Sequence, residues 1–275
     1  MSVRRLAIAA TLVHPAPSII CAALAAAIAL VAGGAPATAA LLAVGMLGFQ
    51  CSIGAVNDLV DAPADLAAGR PNPVSLSVVP VGVAHSAAVA GGVVGIGLSA
   101  WLGPMVLAAG LAGYACGLAY DLFMRERGLG WLCFIPAFAL LPAWSWLAVT
   151  GHLPPDYAVV VVLAALAGPA LHLANDLADP ARDAPRPDPV SDAAGRPVIL
   201  VALLSAAVYI VAWALLLARA GTPQVALGLA LVATLMAALG VVGSASHIAS
   251  RRELGWIAQA AAMSLLAVAW LGSIA

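Results

Sequence analysis

Seven stretches of this chain contain no Asp, Glu, Lys or Arg: residues 6–57, 71–120, 128–155, 157–175, 197–218, 220–250 and 254–275. Each is long enough to cross the apolar core of a bilayer, which takes about 20 helical residues. The first two are too long for one crossing, and each carries a breaker near its middle, Gly33-Gly34-Ala35-Pro36 and Gly103-Pro104. Splitting both predicts nine helices, at approximately 17–33, 36–56, 78–100, 104–122, 130–149, 155–176, 198–218, 222–247 and 254–274. The expected fold is all-α, a polytopic membrane protein with nine transmembrane helices around a central cavity, formed by residues 1–275 as one domain.

Composition agrees: 64% of residues are hydrophobic and 8% charged, where soluble domains are about half apolar and a quarter charged. A net charge of −1 provides no basic stripe to neutralise phosphates, so nucleic acid is excluded as a partner. Cys21, Cys51, Cys116 and Cys133 lie within apolar runs and lack the close pairing of metal or redox motifs; they read as small buried hydrophobes.

The cationic residues are all arginine, and they set an orientation. With the N-terminus inside, Arg4, Arg5, Arg70, Arg125, Arg127, Arg182, Arg186, Arg196, Arg251 and Arg252 face the cytoplasm and only Arg219 lies outside. The same assignment puts every acid except Asp156 inside. The expected location is the cell membrane, with polar chemistry in two long cytoplasmic loops, roughly 57–77 and 175–197. Arg4-Arg5, the apolar stretch behind it and Ala35 to Ala40 imitate a signal peptide. His14-Pro15-Ala16-Pro17 interrupts that stretch, so it reads as the first span instead.

Six of the twelve acids fall in two copies of one phrase: Asn57-Asp58-Leu59-Val60-Asp61-Ala62-Pro63-Ala64-Asp65 and Asn175-Asp176-Leu177-Ala178-Asp179-Pro180-Ala181-Arg182-Asp183. Carboxylates beside lipid are costly unless a cation or partner compensates them, and identical spacing in two places implies a shared positive ligand. On a helix, Asp58, Asp61 and Asp65 share a face, as do Asp176, Asp179 and Asp183; Pro63 and Pro180 restrict that geometry. Clustered hard oxygens suit Mg2+, which binds through a few carboxylates together with substrate phosphates. Arg70, Arg125, Arg182, Arg186 and Arg196 would be on the same side to take phosphate oxygens.

Paired Asn-Asp-x-x-Asp-x-x-x-Asp phrases after the second and sixth of nine helices resemble the UbiA superfamily of intramembrane prenyltransferases. The resemblance covers essentially the whole chain. It implies Mg2+-dependent transfer of a prenyl group from an isoprenyl diphosphate to a small aromatic acceptor, whose identity stays open. Carried over by position, Asn57, Asp61, Asp65, Asp179 and Asp183 would hold metal and diphosphate, with Asp58, Asn175 and Asp176 in the adjoining motif positions. The segment Tyr120-Asp121-Leu122-Phe123-Met124-Arg125 is similar to the family's tyrosine-then-basic stretch and makes Arg125 a diphosphate contact, beside Arg70 and Arg182.

The chain departs from the family pattern after each motif. Gly69-Arg70-Pro71-Asn72-Pro73-Val74-Ser75-Leu76-Ser77 keeps one of two usual basic residues and lacks the later glycine. Pro185-Arg186-Pro187-Asp188-Pro189 stands where a basic residue and threonine are common.

The expected chemistry is ionisation of an allylic diphosphate, with metal and arginines neutralising the leaving group. Tyr114, Tyr120, Phe134, Phe138, Trp144 and Trp146 are candidates to shield the carbocation, against a plainer role in lipid-facing or interfacial packing. His172, one turn before Asn175, could face the site; a hydrogen-bonded structural histidine is the plainer reading. A terpene cyclase on the same fold is the nearest rival. A cation-coupled transporter would place its acids at the bilayer midplane, and an alcohol phosphatidyltransferase would need an Asp-Gly and a nearby Ala-Arg, neither present around Asp58 to Asp65.

Overall fold

The computed structural model describes residues 3–67, 69, 72–178 and 195–275, with side chains of residues 3, 4, 195 and 196 excepted. The helices are α1 (Val3–Ala10), α2 (Pro15–Val31), α3 (Pro36–Ala67), α4 (Val81–Leu102), α5 (Pro104–Ala119), α6 (Trp131–Thr150), α7 (Tyr157–Ala178), α8 (Gly195–Ala218), α9 (Gln224–Ser244) and α10 (Ala249–Gly272). No strand occurs among the described residues. Pro15, Pro36 and Pro104 each open a helix, where the missing N–H costs no hydrogen bond and the fixed φ suits the first turn.

Eight helices are long and apolar enough to cross a membrane by length and composition. The ninth predicted span is not one straight helix. It is a bent pair, residues 5–13 and Pro15–Val31, meeting at 44°, and His14 in the break has a left-handed φ of 44°. Pro15 explains the break, because a proline disfavours helical geometry in the residue before it.

Three further boundaries differ from expectation. Helix α3 continues to Ala67 with Pro63 inside it, so the first acidic phrase is helical and not part of a 57–77 loop. Charge marks where the apolar surface ends, but backbone hydrogen bonding continues until the caps fail. Likewise α10 starts at Ala249, not near 254, and takes Arg251 and Arg252 into its first turn. Of the expected 175–197 loop, Asn175 to Ala178 belong to α7; residues 179–194 lie outside those described.

The chain divides into two compact units, residues 1–129 with 140–152, and residues 130–139 with 153–275. In the first, α3 and α4 touch through glycine. A Cβ on Gly91 would lie 2.5 Å from the Gly48 carbonyl oxygen, and one on Gly95 would lie 2.5 Å from the Phe49 ring. Such small-residue seams give transmembrane helices their backbone approach. Beside it, Ser52 Oγ donates to the Ala88 carbonyl at 2.6 Å and meets Tyr114 Oη at 2.6 Å. Trp144 is buried and donates from Nε1 to Ser99 Oγ at 3.0 Å.

The second unit repeats the principle between α9 and α10, where a Cβ on Gly255 would lie 2.5 Å from the Ser244 nitrogen. Fully buried Gln259 donates from Nε2 to Ser244 Oγ at 2.9 Å and accepts from Ser205 Oγ at 3.2 Å, which links α8, α9 and α10.

Candidate functional site

In the first unit the last turns of α3 present the first acidic phrase. Asp58, Asp61 and Asp65 stand on one continuous helix, and each meets a different partner. Asp58 is buried; its Oδ1 lies 3.3 Å from Nε2 of His14, at the bend between α1 and α2. Asp61 is half-buried and forms an ion pair with Arg125. Asp65 accepts from Asn72 Nδ2 at 2.9 Å, and the same amide reaches the Asp58 carbonyl oxygen at 3.0 Å. Asn72 Oδ1 in turn accepts from the Val74 and Ser75 nitrogens at 2.9 and 3.1 Å, which folds the post-motif segment against α3.

Asn57 donates from Nδ2 to Asp121 Oδ1 at 2.9 Å. Asp121 and Arg125 lie in and just after a wide turn, Tyr120–Met124, in which the Arg125 nitrogen bonds the Tyr120 carbonyl at 3.0 Å. Asn57 and Asp61 are four apart on α3, and Asp121 and Arg125 four apart on the facing segment. The two pairs therefore form consecutive rungs between α3 and the end of α5. Burial works against the Arg125 charge, but the hydrogen bond and charge of Asp61, together with the charges of Tyr120 and Asp121, outweigh it and hold the guanidinium's pKa above its ordinary value. Arg125 also lies 5.9 Å from the Tyr120 ring centroid.

Among the described residues no three His, Cys, Asp or Glu side chains stand close enough to hold a metal unaided. Mg2+ does not require that, since it keeps several waters and is completed by substrate phosphates. The donor set fits such a cation: oxygen ligands on successive turns of α3, and buried Oδ2 atoms of Asp58 and Asp121 without hydrogen-bond partners among the described residues.

In the second unit, Asn175 and Asp176 occupy the last turn of α7. His172 Nε2 lies 3.4 Å from Asp176 Oδ2, so this histidine does join the acidic phrase. Phe134 lies 5.3 Å from the His172 ring and 5.9 Å from Phe138. Arg252 is buried and donates from Nε to the Leu177 carbonyl at 2.7 Å. Arg70, Asp179, Arg182, Asp183 and Arg186 lie outside the described residues, as does the side chain of Arg196.

His14, Asn72, Asp121 and Arg252 take their roles only from packing, although Asn72 and Asp121 stand within the segments that follow the first motif and α5. His14 precedes Asp58 by 44 residues, and Asp121 follows Asn57 by 64. The one available signal was a charged or polar side chain inside or beside an apolar run, which applies to Asp121 and His14. Of the aromatic candidates, Trp144 and Trp146 are buried and not lipid-facing.

The fold matches that of a UbiA homologue from Archaeoglobus fulgidus, with a TM-score of 0.64 at 17% identity over 95% of this chain and 98% of that one. The same homologue bound to GPP and Mg2+ gives 0.65 at 18% identity, covering 94% and 97%. A structure of digeranylgeranylglyceryl phosphate synthase gives 0.61 at 11% identity, covering 98% and 99%. No curated protein matches significantly in sequence. The UbiA prenyltransferase family matches residues 18–244, a range that takes in both acidic phrases and the Tyr120 to Arg125 segment. The chain belongs to the UbiA prenyltransferase family.

Proposed function

We propose that this chain transfers a prenyl group from an isoprenyl diphosphate to a small aromatic acceptor within the cell membrane, with Mg2+ as cofactor and residues 1–275 acting as one domain. The observation that carries the reading is the double rung at the end of α3. There an amide and a carboxylate suited to a hard cation stand one turn apart, and a guanidinium suited to phosphate is paired to the carboxylate. Family membership supports prenyl transfer, and the binding of GPP or DMAPP with Mg2+ by the Archaeoglobus fulgidus homologue supports the diphosphate and the metal.

On this reading Asp61, Asp65, Asp179 and Asp183 are the catalytic carboxylates, with Asp58 and Asp176 beside them, and Asn57, Arg70, Arg125, Asn175 and Arg182 hold the metal-bound diphosphate. Mg2+ held by these carboxylates would neutralise charge on the departing diphosphate. Arg125 exchanges its carboxylate partner for phosphate oxygens, a bidentate contact that strengthens as the prenyl C–O bond breaks and its electron pair moves onto the diphosphate. A ring carbon of the acceptor then forms the new C–C bond to the prenyl cation left behind, and its C–H bond breaks with the proton passing to the released diphosphate or to water. The N-terminus and both acidic phrases face the cytoplasm, following the arginine bias.

Purified protein incubated with Mg2+, a panel of prenyl diphosphates and a panel of phenolic acceptors should release diphosphate and yield prenylated acceptor by mass spectrometry. Cyclic hydrocarbon or alcohol formed without acceptor would identify a terpene cyclase instead. Failure to consume any prenyl diphosphate would overturn the reading.

A further inference from the structure

Asp121 has no place in either acidic phrase, yet it is among the most buried charged groups of the first unit, 3% exposed. Its Oδ1 accepts one hydrogen bond, from Asn57 Nδ2 at 2.9 Å, and its Oδ2 has no hydrogen-bond partner among the described residues. A carboxylate can only accept, so this contact fixes which end of the Asn57 amide faces Asp121. The nitrogen is committed to Asp121. The carbonyl Oδ1 is turned away, and among the described residues it receives no hydrogen bond, on a side chain that is half-buried.

Orientation decides what an asparagine can recognise. With its N–H2 outward it would donate to an anionic phosphate; with its carbonyl outward it offers a hard oxygen to a cation. We propose that Asp121 is a positioning residue that holds the Asn57 amide with its carbonyl oxygen outward, and so makes Asn57 a ligand of the divalent metal and not a donor to the diphosphate. The rung below supplies the complement: Arg125, one turn along from Asp121, takes the anionic partner, and Asp61, one turn along from Asn57, takes the cation. This inference rests on the magnesium–diphosphate reading above. A partner behind a metal ligand fixes its orientation, and loss of such a partner costs about tenfold to a hundredfold in metal affinity.

The test uses full-length protein in detergent micelles with GPP and Mn2+ as the spectroscopic substitute for Mg2+, bound metal being read by electron paramagnetic resonance. Asp121→Ala frees the amide to rotate and should weaken Mn2+ binding by about tenfold to a hundredfold. Asn57→Asp places two carboxylates against each other and should weaken it similarly. The double variant Asn57→Asp with Asp121→Asn reverses the pair: the new residue at 121 can donate to the new carboxylate, which keeps one oxygen outward, and binding should recover most of the loss. That recovery separates positioning from general damage, since two substitutions that each merely damaged the fold would add their losses when combined, whereas a donor and an acceptor exchanged between the two positions match again. Wild-type Mn2+ affinity in Asp121→Ala, or no recovery in the double variant, overturns the inference. No Mn2+ binding by the wild type with GPP would sink the magnesium–diphosphate reading itself.

Discussion

Arg252 Nε donates to the Leu177 carbonyl oxygen at 2.7 Å, so the first turn of α10 grips the last turn of α7. Its Nη1 also reaches the Ser246 and His247 carbonyls at 3.4 and 3.2 Å. Main-chain carbonyls at a helix C-terminus carry partial negative charge, which is what a buried guanidinium needs in place of water.

Arg252→Met should therefore orphan several carbonyls at once and destabilise the protein by on the order of 3 kcal/mol. Arg252→Lys keeps the charge but lacks the fork, and should recover only part of the loss. Thermal unfolding in detergent measures both, with the lysine variant expected between the methionine variant and wild type.

Asp61→Ala and Arg125→Ala should each abolish detectable turnover while the protein still elutes as a folded, monodisperse species. Each loses its own role and leaves the other member of the ion pair without its partner. A reduction of about a thousandfold in kcat/KM is the expected scale for a group that stabilises charge in the transition state. Arg125→Lys should lie between, and steady-state kinetics with GPP ranks the three.

The glycine seam gives a paired forecast. Gly91→Ala drives a methyl to 2.5 Å from a backbone carbonyl of α3, so the helices must part, at about 1–3 kcal/mol. Gly97→Ala on the same helix meets nothing within 4 Å and should stabilise by roughly 0.5–1 kcal/mol through helix propensity alone. Opposite shifts in melting temperature are the expected result.

Arginine distribution predicts the side of each loop. Reporter fusions truncating the chain after Gly128 should report a cytoplasmic loop, and fusions after Thr222 an external one, because Arg219 is the single arginine assigned outside. The reverse pattern would invalidate the orientation and, with it, a cytosolic supply of the diphosphate.

The helices were legible because in lipid the length of the apolar run nearly is the fold: α4, α6, α7 and α9 end within a few residues of where the charges and breakers put them. The errors share one cause. Residues 57–67 and 249–253 are polar enough to leave the apolar core, but nothing in them terminates a helix, and Pro63 is accommodated within α3. The acidic spacing disclosed the ligands themselves. Their supports stayed hidden, because His14 with Asp58, Asn57 with Asp121 and Arg252 with Leu177 are long-range pairings that only packing creates. Arg252 carried no signal beyond its charge, and a count of charges cannot separate a side chain that sets topology from one that caps a neighbouring helix.

Since α3 leaves its apolar stretch unbroken, Asp58, Asp61 and Asp65 ride on a rod whose backbone is already ordered from Pro36 onward. A visitor captured there is spared the roughly 1–2 kcal/mol per residue that tidying a slack segment would forfeit. Residence times at these carboxylates should then follow the exchange of water and guanidinium for the incoming cation, with no slow conformational search of the rod preceding it.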